Sequence, residues 1–145
     1  MSDTISFTQT AGIATLTFNN PQRRNALGAA ELDAIERGLS SLDEETRALL
    51  ITSSDDRVFC AGADLNQILD GSLSGDRFQS VTNAIAALPI PSVAALSGNV
   101  FGGGAELALS CDFRLAREDI VLRIPAAAIG LCYPVEGIEH ITRRL

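Results

Sequence analysis

The chain has no tryptophan and no lysine, and only one histidine and one tyrosine, in 145 residues. All 11 of its basic residues are arginine, against 18 acidic ones, for a formal net charge of −7. With no basic run and no interleaved aromatics, it carries no electrostatic footprint for nucleic acid. Attraction for a phosphorylated ligand must be local, from residues such as Arg23 and Arg24. Three cysteines, Cys60, Cys111 and Cys132, are an odd number at no metal-ligand spacing. With His140 the sole histidine, no metal site is expected. No stretch approaches the ~20 apolar residues of a membrane-spanning helix, and Met1–Thr4 carries neither a basic nor an apolar leader. The expectation is a cytoplasmic protein with reduced thiols, no membrane and no nucleic-acid partner.

Hydrophobic residues make up 46% of the chain, enough for a core, and the length suits one domain over residues 1–145. Two small-residue stretches stand out. The first is Val58-Phe59-Cys60-Ala61-Gly62-Ala63-Asp64-Leu65, after a strand-like run and a polar loop and before a short helical pattern at Leu65, Ile68 and Leu69. The second is Ser97 to Leu107, with Gly102-Gly103-Gly104 between the strand-like Val93 to Leu96 and an apolar helical run. The first N–H groups of a helix have no intrahelical partner, and glycines there let an anion or a charging oxygen come close. Glu106 lies one turn beyond Gly103 on the same face, so an amide and a carboxylate can look into one cavity. Glu106 can equally cap its own helix, and Asp64 can be the N-cap of the turn that follows it. A phosphate-loop nucleotide binder is a weak reading, since no Lys-Ser/Thr follows the glycines and the chain has no lysine.

The remaining elements read in order. Ile5 to Thr10 and Ile13 to Phe18 alternate as strands around Ala11-Gly12, a hairpin. Helical spacing spans Ala29 to Leu42 and Asp76 to Leu88, with Leu32, Ile35, Leu39, Leu42 and Phe78, Val81, Ile85, Leu88 on the inner faces. Ala48 to Thr52 and Ser92 to Ser97 read as buried strands, and Asp70 to Gly75 as a mobile loop. The helix from Gly103 to Ser110 is apolar nearly all round, which predicts full burial. Phe113 to Ala116 and Val121 to Ile124 read as strands, Pro125 to Gly130 as a loop or short helix, and Val135 to Leu145 as a helix. Strand–helix alternation makes this an α/β chain.

The paired junctions, with Asn19-Asn20-Pro21, Arg24-Asn25-Ala26-Leu27, Pro125 and Gly130 in order, resemble the crotonase family, the enoyl-CoA hydratase/isomerase superfamily. The resemblance implies the crotonase/ClpP-like ββα-spiral. It also implies an acyl-CoA thioester as substrate, with coenzyme A entering as part of that substrate and no separate cofactor. By the same resemblance the amides of Ala63 and Gly103 form an oxyanion hole for the thioester carbonyl. Glu106 is the proton-transfer group beside the resulting enolate. Arg24, Ala26, Ala61, Gly62, Ala63, Asp64, Leu65, Gly102, Gly103, Glu106, Pro125 and Gly130 then make the substrate site. Hydration or dehydration of an enoyl-CoA is the commonest outcome, and assembly into a trimer or hexamer is expected.

Two departures qualify that expectation. The hydratases carry a second glutamate after the proline that matches Pro125, where this chain has Ala126, and alanine exchanges no proton. The chain also stops at Leu145, inside a helix, short of the C-terminal helical region that family members carry. The alternative is therefore a non-catalytic acyl-CoA-binding or assembly protein. Glu136 is expected to face solvent, the alternative being that it reaches into the site, and Tyr133 to pack, the alternative being a proton donor; His140 is expected to be exposed and idle, and Cys60 to be an unreactive core residue.

Overall fold

The computed structural model describes residues 4–145, so the Met1–Asp3 start lies outside the described residues. Strands β1 (Ile5–Thr10) and β2 (Ile13–Phe18) pair antiparallel, Thr10 opposite Ile13. Ala11 and Gly12 both take positive φ, 53° and 79°, as a two-residue turn between right-twisted strands requires. Alternation on β2 sends Ala14, Leu16 and Phe18 inward, each fully buried.

Helix α1 (Ala29–Ser40) crosses over to β3 (Ala48–Ser53), which lies parallel to β2. Its first turn is held by Glu31, which accepts from the Gly28 N–H at 2.9 Å, and by Gln67, which accepts from the Ala29 N–H at 2.9 Å. Strands β5 (Ser92–Leu96) and β7 (Phe113–Ala116) extend the sheet in parallel to the order β1-β2-β3-β5-β7. A second, all-parallel sheet has the order β4-β6-β8, from Val58–Cys60, Asn99–Phe101 and Leu122–Arg123.

The chain thus repeats one step. A strand of the large sheet is followed by a short strand of the small sheet and then a helix: β3, β4, α2 (Leu65–Leu69); β5, β6, α4 (Gly103–Ser110); β7, β8 and the 3-10 helix Ala126–Ile129. This is a ββα-spiral. Helix α3 (Gly75–Ala86) lies against α1 and α4, and α5 (Val135–Arg144) against α4. From Gly104 to Ser110 every residue of α4 is buried, as its all-round apolarity predicts. The Phe18 and Phe59 rings meet edge to face at 5.2 Å between the two sheets' strands.

Four expectations are corrected. The Val93 to Leu96 strand does not feed the glycines directly, because Asn99–Phe101 intervenes as β6. The first three residues of the other small-residue stretch, Val58–Cys60, are likewise a strand, β4. Helices α1 and α3 end at Ser40 and Ala86, while Leu42 and Leu88 still pack partly buried beyond them. Gly75, read as the end of a loop, opens α3, and Leu73 within that loop is 3% exposed, its N–H donating to the Gln67 carbonyl at 2.9 Å.

Candidate active site

The C-terminal ends of β4 and β6 are neighbours, with Cys60 paired to Val100, so the turns leaving them lie side by side. Gly62 sets how close they come. At φ 90° it has no Cβ, and one placed there would stand 2.7 Å from the Gly103 nitrogen and 2.9 Å from the Phe101 oxygen. Gly104 does the same one step on, its missing Cβ leaving room for the Cys60 carbonyl at 2.6 Å. Only backbone against backbone fits this contact.

On the first turn, the Leu27 N–H donates to the Gly62 carbonyl at 2.8 Å and the Asp64 N–H to the Leu27 carbonyl at 2.9 Å. Alternation then turns the Ala63 N–H to the opposite side. On the second turn Gly102, at φ 53° and ψ −126°, donates to the Arg123 carbonyl at 2.9 Å and opens α4. Gly103 is the first residue of that helix, so its N–H has no intrahelical partner. Among the described residues nothing accepts a hydrogen bond from the Ala63 or the Gly103 amide. Both residues line one cavity of about 450 Å³, together with Ala61, Leu65, Gly102, Glu106 and Pro125. Its other walls are chiefly apolar: Ile68, Phe78, Ile124, Ala126, Ile129 and Leu131.

Glu106 is 4% exposed and its carboxylate meets two hydroxyls. Tyr133 donates its phenolic proton to Oε2. Thr82 Oγ1 lies 3.2 Å from Oε1 and 3.0 Å from its own helix's Gln79 carbonyl, so its one proton has two acceptors. Burial, then the Glu106 carboxylate it bonds to, push the Tyr133 phenol well above its ordinary range. Tyr133 stays protonated.

Not every expected site residue reaches the cavity. Arg24 and Ala26 shape the loop behind it: Arg24, at φ 54°, gives its carbonyl to the Ala61 N–H at 3.0 Å, and Ala26 donates to the Arg23 carbonyl. Asp64 faces away, accepting from the Asn66 N–H at 3.0 Å and pairing with Arg23 at 2.6 Å. It is the helix cap, and Arg23 is an ion-pair partner of a buried carboxylate. Gly62 supports the turn from behind, and Gly130, at φ 74°, closes the 3-10 helix in the left-handed conformation. His140 is half-buried and not idle, with Nε2 2.9 Å from Ser110 Oγ. Since the Ser110 hydroxyl donates to the Glu106 carbonyl at 2.8 Å, the imidazole is placed to donate to that oxygen. Cys60 is fully buried, its thiol pushed up to about 12 by burial, and Glu136 is exposed, both as expected.

With this geometry in place, the sequence profile of the enoyl-CoA hydratase/isomerase family matches residues 8–145. The chain belongs to that family. It is 37% identical over 141 residues to the mitochondrial enoyl-CoA hydratase domain-containing protein 2 of Mus musculus, covering 92% of this chain and 48% of the mouse protein. A crystal structure of an enoyl-CoA hydratase/isomerase family member superposes with TM-score 0.87 at 31% identity, over 96% of this chain and 57% of that one. The enoyl-CoA hydratase of Bacillus anthracis does so with TM-score 0.85 at 27% identity, over 97% and 57%. The chain spans about half the length of the curated relatives it matches.

Within this member of the family, sequence reasoning missed Thr82 and underrated Tyr133. Thr82 had a signal: it sits on the inward face of α3, one position after Val81, and is fully buried, where a hydroxyl must find a partner. Tyr133 was read as packing with proton donation as the alternative, and only the fold shows its partner, 27 residues away in the chain.

Proposed function

We propose that this site binds an acyl-CoA thioester and carries out enolate chemistry on it, in the manner of an enoyl-CoA hydratase. The thioester oxygen takes the two amides, Ala63 and Gly103, that have no acceptor among the described residues. Each such donor is worth roughly 3–4 kcal/mol when charge develops on the oxygen it faces. Glu106, lining the same cavity, exchanges a proton with the carbons or water beside the carbonyl. The acyl chain lies along Phe78, Ile129 and Leu131. The observation that carries the reading is the pair of unpaired amides from two turns in backbone contact, with a buried carboxylate on the same cavity.

Assembly is part of the same reading. Phe113 and Leu115 on β7 are 62% and 72% exposed, apolar surface that supports a homo-oligomer. Calorimetric titration with crotonyl-CoA and a turnover assay on wild type and Glu106→Gln test the chemistry. The expected result is binding by both proteins, with turnover reduced roughly 10²–10⁴-fold in the variant. Absence of binding refutes the reading, and turnover unchanged in Glu106→Gln removes Glu106 from it. Binding without turnover in wild type supports a non-catalytic acyl-CoA binder instead, a reading that Ala126 favours.

A further inference from the structure

We infer that Tyr133 is a catalytic residue, the second proton carrier of this site, working in series with Glu106. The inference rests on the acyl-CoA reading above and goes beyond it by naming a second proton carrier, beside Glu106. Position 126, on the cavity wall, is alanine and holds no proton. Tyr133 lines the same cavity and is already hydrogen-bonded to Glu106.

The ring is seated by design of the backbone around it. Tyr133 and Pro134 precede α5, and Gly137, in its first turn, is buried with no Cβ. A Cβ there would stand 2.5 Å from the tyrosine ring, so the bare helix face is what admits the aromatic ring and aims its hydroxyl at Glu106. Tyr133 occupies Oε2 of the carboxylate, which leaves Oε1, beside Thr82, to meet a water. The phenol's resistance to ionisation keeps the proton in place until a strong base forms next to it.

For hydration the balance is complete within the site. Water's oxygen bonds to the β-carbon as one water proton passes to Glu106. The double-bond pair moves toward the thioester oxygen, where the two amides hold the enolate. The α-carbon then takes the phenolic proton of Tyr133, an enolate carbon being the far stronger base. Tyr133 is refilled by the proton Glu106 has just gained on Oε1, once the carboxyl turns to present that proton to the phenolate oxygen beside it. Both residues end as they began, and the elements of water have crossed the double bond.

Tyr133→Phe keeps the ring on Gly137 and removes only the hydroxyl, and it is compared with wild type and Glu106→Gln for crotonyl-CoA binding, turnover and unfolding midpoint. The relay predicts near wild-type binding and midpoint, and turnover lower by roughly 10²–10⁴-fold. It further predicts that Tyr133→Phe/Ala126→Glu recovers part of the lost rate, since a carboxyl lining the same cavity supplies a proton again. Wild-type turnover in Tyr133→Phe, with Glu106→Gln inactive, overturns the relay and leaves the Glu106 reading standing. Loss of binding and midpoint together in Tyr133→Phe assigns the tyrosine to packing and also overturns it. A wild-type protein that binds without turnover, or does not bind, removes the reading on which the relay rests.

Discussion

The contact between the two turns is the part of the structure most open to direct perturbation, through Gly62→Ala. Two penalties add. A side chain at φ 90° is strained, at a cost of about 1–3 kcal/mol. The new methyl also stands 2.7 Å from the Gly103 nitrogen and 2.9 Å from the Phe101 oxygen, both main-chain atoms that cannot swing aside. Overpacking of this kind costs a further ~1–3 kcal/mol. The sum, roughly 2–6 kcal/mol, is a large share of the ~5–15 kcal/mol that holds a typical domain folded. Gly71→Ala is the control, because Gly71 has φ 78° with nothing within 4 Å of its missing Cβ, so it carries the first penalty alone. Urea unfolding reads the difference: at a slope of ~1–3 kcal/mol per molar, the Gly62 variant should unfold on the order of 1 M earlier than the Gly71 variant. Equal midpoints would show that the turns can part freely, and the argument that glycine holds the two amides together would fail.

Other expectations follow from single groups. Asn25 is 1% exposed at φ 54°, with its amide group facing Ser53, Val58 and Phe59 and its carbonyl oxygen accepting from the Asn20 N–H. Asn25→Ala strands several of these and should cost about 3 kcal/mol or more, and a loss under ~1 kcal/mol by urea unfolding would show that water replaces them. Cys60 and Cys111 are buried with thiols pushed up to about 12, while Cys132 is exposed, so the folded protein should give one rapid equivalent with a colorimetric thiol reagent. Three rapid equivalents without denaturant would contradict that burial. The His140 imidazolium is disfavoured by burial and then by Arg144, with Glu106 pulling the other way, so its folded-state value lies below 6.5. Its contribution to stability is therefore whole above pH 6.5 and is lost as pH falls from there through the folded-state value. His140→Gln should flatten the fall in urea midpoint between about pH 7 and about pH 5, and an unchanged slope would show that His140 is not its source.

The chain's own residues were enough to locate the elements whose pattern repeats over several turns or strands. Alternation placed β1 and β2 to the residue, with the Ala11-Gly12 turn between them, and the unbroken apolar run placed α4 in the centre. The two glycine-bearing junctions, and Glu106 one turn beyond the second, were also legible, because backbone exposure and helical spacing are local properties. Tertiary structure alone decided the rest. Strands β4 and β6, of three residues each, are too short to show a period, so although Val121 to Ile124 read as a strand, the small sheet that brings the turns together was invisible. Which site residues face the cavity was likewise a matter of what stands behind them: Leu27 behind Ala63, Arg23 beside Asp64, Gly137 beneath Tyr133. The first two pairings join residues far apart in the chain, and no spacing along it records them. Only packing puts a phenol against a carboxylate, and so decides what faces Glu106 where position 126 is alanine.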